Sequence, residues 1–134
     1  MNSQIQEHEK YRFIKKLSLV ILILFFLFSG INHFLNPETY YPLIPPYLPF
    51  PVAINIISGI AEIVFSLLLI FKRTRKLAAY SLIILLILFI PAHIHFIVIG
   101  GCIEGGFCFP MIVAWLRLIV IHPLLIFWIW TNRK

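Results

Sequence analysis

Four apolar stretches, each long enough to cross a bilayer as a helix, constrain this chain more than any other feature. They run over about residues 14–35, 52–71, 77–99 and 110–130. A spanning helix needs roughly 20 mostly apolar residues. With 61% hydrophobic and 12% charged residues, the chain has too little polar surface to coat a water-soluble globule. We therefore predict an all-α membrane protein, in which residues 1–134 form a single four-transmembrane-helix bundle in the lipid bilayer.

The basic residues predict the orientation of these helices. Lys and Arg occur before the first span, at 72–76 and at the chain end, whereas the connections 36–51 and 100–109 contain neither. Positive residues close to spanning helices favour the cytoplasmic side. Both termini and the basic turn are therefore expected in the cytoplasm, with the other two connections outside. Because these residues form separate juxtamembrane blocks and no single basic face, we expect no nucleic-acid partner.

A signal peptide is the competing interpretation of the N-terminus, because a basic region before an apolar stretch is typical of both. No small-residue cleavage pattern follows Phe28. Cleavage would also leave three spans and would put the new N-terminus on the wrong side for the basic block at 72–76. We therefore expect the first apolar stretch to be a spanning helix.

Prolines predict where helices end or bend. The connection over residues 36–51 holds six of the nine prolines together with several aromatic residues. Proline cannot continue a helix or donate to a sheet, so we predict a rigid, Pro/Tyr-rich cap at the outer membrane interface. Inside the third and fourth spans, Pro91 and Pro123 should free the carbonyls of Ile87 and Ile119 and kink the helices.

Polar and ionisable side chains within the apolar stretches are the candidate ligand-binding residues. A charge at the centre of a spanning helix costs about 2.5–3.5 kcal/mol on insertion scales, so such groups should face the bundle interior. A rise of about 1.5 Å per residue places most of them between the midplane and the outer surface. The candidates are Glu62, His33, Arg117, His93, His95, Asn32, Asn55 and Ser58.

Helical spacing ranks these candidates. The second span has one polar stripe at i, i+3, i+4 and i+7, formed by Asn55, Ser58, Gly59 and Glu62. The first span has a similar stripe of Ser29, His33 and Asn36. His93 and His95 are about 200° apart, so they cannot both enter one pocket. His122 lies roughly 140° from Arg117 on an ideal helix and is expected to be a packing residue.

These groups have two other interpretations. They could serve only to hold the helices together, through hydrogen bonds and a Glu62–Arg117 ion pair. Two ionised groups and several imidazoles in one leaflet are more than packing requires, and this favours a ligand site. A zinc or iron site would need converging His and Glu pairs three or four residues apart. The sequence contains no such pair, and we predict no metal.

The two cysteines, Cys102 and Cys108, lie in the connection predicted to face outward. Outside the cytosol, such a pair is more often a disulfide than two thiols. We predict a disulfide that closes a small loop over the bundle and stabilises the fold by about 2 kcal/mol. A redox-active pair is the alternative, although the spacing is not C-x-x-C and no adjacent positive charge favours a thiolate.

Several segments together resemble the DoxX-like family of small bacterial four-helix membrane proteins. The resemblance covers about residues 17–130. Its most specific parts are S-G-x-x-H-F followed by N-P-E, S-G-x-A-E, the basic turn, P-A-H-I-H and W-x-R-x-x-x-x-H-P. Members often have asparagine at the position of His93 and glutamine at that of His122, so a role carried over to these two is weaker. The resemblance implies the bacterial cytoplasmic membrane as location.

The resemblance also implies a function, since the family takes its name from a subunit associated with thiosulfate to quinone oxidation. A quinone or a small sulfur compound would bind near Glu62, His33 and Arg117, and redox proteins would be the partners. The chain has no haem, flavin or nucleotide motif and thus no self-contained catalytic motif. As a subunit of a membrane oxidoreductase it would need a borrowed cofactor, of which quinone is the candidate.

Two alternatives remain. The fold is also distantly similar to the EXPERA group of sterol-binding and sterol-isomerising proteins. That similarity implies a bundle that binds or isomerises an apolar lipid, with Glu62 as acid or counter-ion. The other alternative is a purely structural membrane subunit.

Overall fold

The computed structural model describes all 134 residues, which form helices joined by short connections. In chain order the helices are α1 (Asn2–Leu35), α2 (Pro37–Tyr40), α3 (Pro51–Leu68), α4 (Lys72–Leu88), α5 (Ile90–Val98), α6 (Met111–Leu116) and α7 (His122–Thr131). A 3₁₀ turn follows α2 at Tyr41–Leu43, and a π turn joins α6 to α7 at Arg117–Ile121.

Four helical segments are long and apolar enough to cross a membrane. They are α1, α3, the α4–α5 pair and the α6–α7 pair. This confirms the all-α fold with four potential spans. The bounds differ from those predicted at the N-terminus, where α1 begins at Asn2 because good helix formers such as Gln, Glu, Lys and Arg precede the apolar stretch.

The basic turn expected at 72–76 is helical, and this prediction was wrong. The second span ends at Leu68, and α4 begins at Lys72 after only three residues. Thr74 donates its hydroxyl to the Leu68 carbonyl at 2.8 Å, and Arg75 Nε donates to the Leu69 carbonyl at 2.9 Å. These side chains satisfy carbonyls that the end of α3 leaves without helical partners, so the reversal needs no longer loop.

Both internal prolines interrupt their helices. The third span breaks at Phe89, and Pro91 lies in the first turn of α5. In the fourth span Pro123 lies in the first turn of α7, directly after the π turn. Proline removes one N–H and its ring crowds the carbonyl four residues earlier, so the regular α-helical bonds cannot continue past it. In the fourth span the chain widens to i→i+5 bonds before it resumes the α-helix.

The proline-rich connection is more regular than predicted, because Pro37 and Pro42 each lie in a first helical turn. A missing N–H has no consequence there. Pro51 begins α3 in the same way, after Phe50 with a left-handed φ of 58°.

The two ends of the bundle are built differently. The end that carries the chain termini has a dry core of Leu22, Phe26, Leu69, Ala78, Ala79, Leu82, Leu86 and Ile129. We call the opposite end, with the connections over 36–50 and 99–110, the loop end. Its apolar core is smaller, formed by Phe96, Ile103 and Ala114. The loop end is therefore where the interior has room for a ligand.

The first span and α3 touch through two glycines. A Cβ on Gly30 would lie 2.8 Å from the Gly59 carbonyl oxygen, and one on Gly59 would lie 2.8 Å from His33 Cβ. Real Cβ atoms do not approach that closely, so only glycine allows these backbones to meet. The contact brings His33 against the buried polar stripe of α3.

Candidate functional site

A cavity of about 540 Å³ lies between the spans at the loop end. Most of its wall is apolar. Its polar wall residues are Ser29, His33, Tyr40, Asn55, Ser58, Glu62, His93, Arg117 and His122. The size falls in the usual range of small-molecule sites, roughly 300–1,000 Å³. The cavity thus brings together six of the eight predicted ligand-binding residues.

The α3 stripe faces this interior as its spacing predicts. Asn55, Ser58, Gly59 and Glu62 are all buried, and the stripe continues one turn further to Ser66. Ser66 lies outside the cavity wall and donates its hydroxyl to the Ile63 carbonyl at 2.8 Å. The stripe therefore has a ligand-facing part and a part that only packs.

His33 is held by two hydrogen bonds to Asn55. The His33 Nδ1 and Asn55 Oδ1 atoms are 2.7 Å apart, and Asn55 Nδ2 donates to the His33 carbonyl oxygen at 2.9 Å. That carbonyl needs an outside donor, because its helical partner would be Pro37, which has no N–H. The backbone of α1 and the amide of α3 together fix the orientation of the imidazole ring.

Glu62 lies on the other side of that ring. Its Oε1 atom is 3.9 Å from His33 Nε2, and only 2% of the residue is exposed. The second oxygen, Oε2, is buried and has no hydrogen-bond partner. A buried polar atom without a partner costs about 1–3 kcal/mol, so this carboxyl group is not explained by helix packing.

Arg117 is not the partner of Glu62, contrary to the pairing that the packing interpretation requires. Its guanidinium group stands over the Phe96 ring at 5.5 Å, whereas the Glu62 carboxyl group lies beside His33, with Oε1 3.9 Å from Nε2. The cavity therefore holds a carboxyl group and a guanidinium group that do not neutralise each other directly.

His122 was expected to be a packing residue away from Arg117. It is buried and bonded to the Leu86 carbonyl of α4, as a packing residue would be, but it is not separated from Arg117. Both line the cavity. The π turn begins at Arg117, and the His122 amide bonds to the Arg117 carbonyl five residues earlier. In such a turn, residues five apart come one above the other, whereas an ideal α-helix would separate them by roughly 140°. Pro123, next in the sequence, was the signal that could have indicated this.

His122 is also positioned by its contacts. Its Nε2 lies 2.6 Å from the Leu86 carbonyl oxygen and donates to it, since a carbonyl can only accept. Its ring meets that of His93 edge-on, with the centroids 4.8 Å apart. The π turn and the α4–α5 break thus contribute one imidazole each to the same side of the cavity.

Two predicted residues, Asn32 and His95, are not in the cavity wall. His95 is the histidine that the 200° separation from His93 excludes. Asn32 acts from behind the wall, where its Nδ2 donates to the Tyr40 hydroxyl at 2.7 Å. Asn36, the last member of the predicted α1 stripe, lies past the helix end and is exposed.

Tyr40 is a cavity residue that was not predicted from the sequence, because it lies in the connection and not in a span. Its ring stacks on His33 with the centroids 3.9 Å apart. Burial raises the pKa of the Tyr40 hydroxyl above its usual value. The hydroxyl therefore stays protonated, and because it accepts from Asn32, its own hydrogen can be donated towards the cavity.

The cysteines lie outside the cavity. Cys102 and Cys108 are joined by a disulfide that closes the connection between α5 and α6. Ile103, inside this small loop, packs with Phe96 of α5 and Ala114 of α6. The loop covers the end of the bundle and contributes none of the cavity's polar groups.

Comparison with known proteins identifies the family to which the chain belongs. No curated protein and no solved structure shows a significant match to the chain. The family described as a domain of unknown function, DUF8561, matches residues 22–133, which include the last part of α1, the other three spans and every polar residue of the cavity. The chain therefore belongs to the DUF8561 family.

Proposed function

We propose that this protein binds a small, mostly apolar molecule with one polar head inside the bundle, and that this ligand is a quinone of a membrane redox system. The observation that carries the proposal is the buried, unpartnered Oε2 atom of Glu62 in the wall of a mostly apolar cavity. A hydroxyl group of the reduced quinone, the quinol, would supply the missing hydrogen bond, because the oxidised ring has no hydrogen to donate. The apolar wall would enclose the ring and the first part of its chain.

The polar groups of the cavity suit a ring with oxygen substituents. Arg117 can only donate hydrogen bonds, Tyr40 has a free O–H, and Glu62 and His33 offer acceptors. The choice of a quinone among apolar ligands rests on the resemblance to the DoxX-like family. On this proposal the protein is an accessory component that holds quinone for redox partner proteins.

We also propose that the loop end faces outward, in a bacterial cytoplasmic membrane, with both termini in the cytoplasm. The support is the distribution of Lys and Arg, which are absent from residues 36–51 and 100–109. Reporter fusions at Thr74 and Glu104 should then report opposite sides of the membrane, with Thr74 inside. The same side for both fusions would refute this topology.

A sterol-like lipid is the second candidate ligand. The observation in its favour is that the cavity wall is mainly apolar, with Glu62 as the one buried carboxyl group. A purely structural role is disfavoured by the same residue, because a side chain selected for packing would not leave a carboxylate oxygen unpaired.

Mass spectrometry of small molecules that co-purify with the protein in polymer-extracted membrane discs tests the ligand class. A quinone would support the proposal. A sterol or terpenoid would refute the quinone and support a sterol-like lipid as the ligand. Discs that contain only bulk phospholipids, in the same proportions as discs without the protein, would support a purely structural role.

Replacing Glu62 with glutamine tests the site itself. The amide is nearly isosteric but cannot ionise, so the bundle should stay folded, while the reduced form, decylubiquinol, should bind about tenfold more weakly through the loss of one charged hydrogen-bond acceptor. Binding in nanodiscs and thermal unfolding should both be measured. Ser66→Ala is the matched control, on the same buried face but outside the cavity, and should bind normally. A Glu62→Gln protein with lower thermal stability and unchanged binding would contradict the proposal.

A further inference from the structure

The hydrogen bonds around Asn55 decide which nitrogen of His33 carries a hydrogen. Asn55 Nδ2 must be the atom next to the His33 carbonyl, because two oxygens would not bond there. The oxygen Oδ1 is therefore the atom 2.7 Å from His33 Nδ1, and Nδ1 must be protonated to donate to it. The other nitrogen, Nε2, is left as an acceptor in the neutral ring.

Two hydrogen-bond acceptors, one from His33 and one from Glu62, therefore face each other at the polar end of the cavity. His33 Nε2 and Glu62 Oε1 are 3.9 Å apart, which is too far for a direct hydrogen bond. The pair offers three atoms to the cavity, namely Nε2, Oε1 and Oε2. If they share one proton or none, at least two of the three accept hydrogen bonds. A second proton would leave an uncompensated positive charge inside the bundle, which is costly.

We propose that the His33–Glu62 pair recognises a hydroxyl group, so that the site prefers an apolar ligand that donates a hydrogen bond over one of the same shape that can only accept. A phenol or alcohol can donate its hydrogen to one of the acceptors, within the 3.9 Å gap or to Oε2. An ether or ketone would leave both acceptors unpaired in a dry site. The inference rests on the proposed function and specifies the chemistry of the head group.

The test compares 4-nonylphenol with its methyl ether, 4-nonylanisole, as probes of the full-length protein in nanodiscs. Both are chemically stable and have the same apolar body, and titration of protein-free nanodiscs corrects for partitioning. The phenol is expected to bind at least about tenfold more tightly, since a hydrogen bond to a charged or buried acceptor contributes about 1.5–3 kcal/mol.

Two variants show which residues cause the preference. In Glu62→Gln the amide supplies an N–H donor, so the preference for the phenol should fall to about threefold or less while the ether binds at least as well as before. In Ser66→Ala the ratio should remain that of the unchanged protein. Loss of the preference in Glu62→Gln alone would support the inference.

Other outcomes separate the inference from the proposed function. If both probes bind the unchanged protein equally, the hydroxyl preference is refuted and ligand binding in the cavity stands. If neither probe nor decylubiquinol binds, the hydroxyl preference and the proposed function both fail. A preference that persists in Glu62→Gln would refute the role of the His33–Glu62 pair.

Discussion

Replacement of Gly59 by leucine is expected to destabilise the bundle by at least about 3 kcal/mol and to abolish ligand binding. Overpacking a core typically costs about 1–3 kcal/mol, and here a single added carbon already meets His33 Cβ and the Phe34 ring at 2.8 Å. Neither α1 nor α3 can yield locally, because the Gly30 carbonyl lies 3.0 Å from the same position. The two helices would have to separate, and His33 would leave Asn55 and Glu62.

Thermal unfolding in detergent and binding of decylubiquinol should be measured together. Gly59→Ala should give a smaller loss, since part of the clash is offset by the better helix propensity of alanine, about 1 kcal/mol. Ala53→Leu is the control, because Ala53 is an exposed residue in the first turn of the same helix. Normal stability of Gly59→Leu would show that the close approach of α1 and α3 is absent.

Asn55→Leu has the second largest expected effect, because this side chain makes two buried hydrogen bonds to His33. Interhelical hydrogen bonds in membrane proteins contribute about 0.6 kcal/mol each on average and up to about 1.7 kcal/mol, so we expect a loss of about 1–3 kcal/mol. The ring would also be free to exchange its protonated nitrogen. The preference for 4-nonylphenol should therefore fall even if the variant folds, because Nε2 no longer stays an acceptor.

Asn36→Ala is the control for this variant. Asn36 makes one side-chain hydrogen bond, to Asn32, in an exposed position. Its replacement should change stability by less than about 0.5 kcal/mol and leave the probe ratio unaltered. An Asn55→Leu protein that keeps both its stability and its phenol preference would contradict the arrangement of His33 derived above.

The candidate site was predicted best where it depends on regular helix geometry. Asn55, Ser58 and Glu62 recur at helical spacing, and the structure buries all three on one face of α3. The separation of His93 from His95 also follows from the α-helical turn, and only His93 lines the cavity. The predicted separation of His122 from Arg117 was wrong, because the turn before Pro123 has π and not α geometry.

The sequence alone determined that the chain forms four apolar helices and that the polar stripe of α3 faces inward, because both follow from hydrophobicity and from a local repeat of 3.6 residues per turn. Only the tertiary structure decided which groups meet. Glu62 lies beside His33 and not Arg117, because Gly30 and Gly59 let α1 approach α3 most closely. Tyr40 reaches the cavity because α2 folds back over His33. Such contacts depend on distances between segments far apart in the chain, which no local pattern encodes.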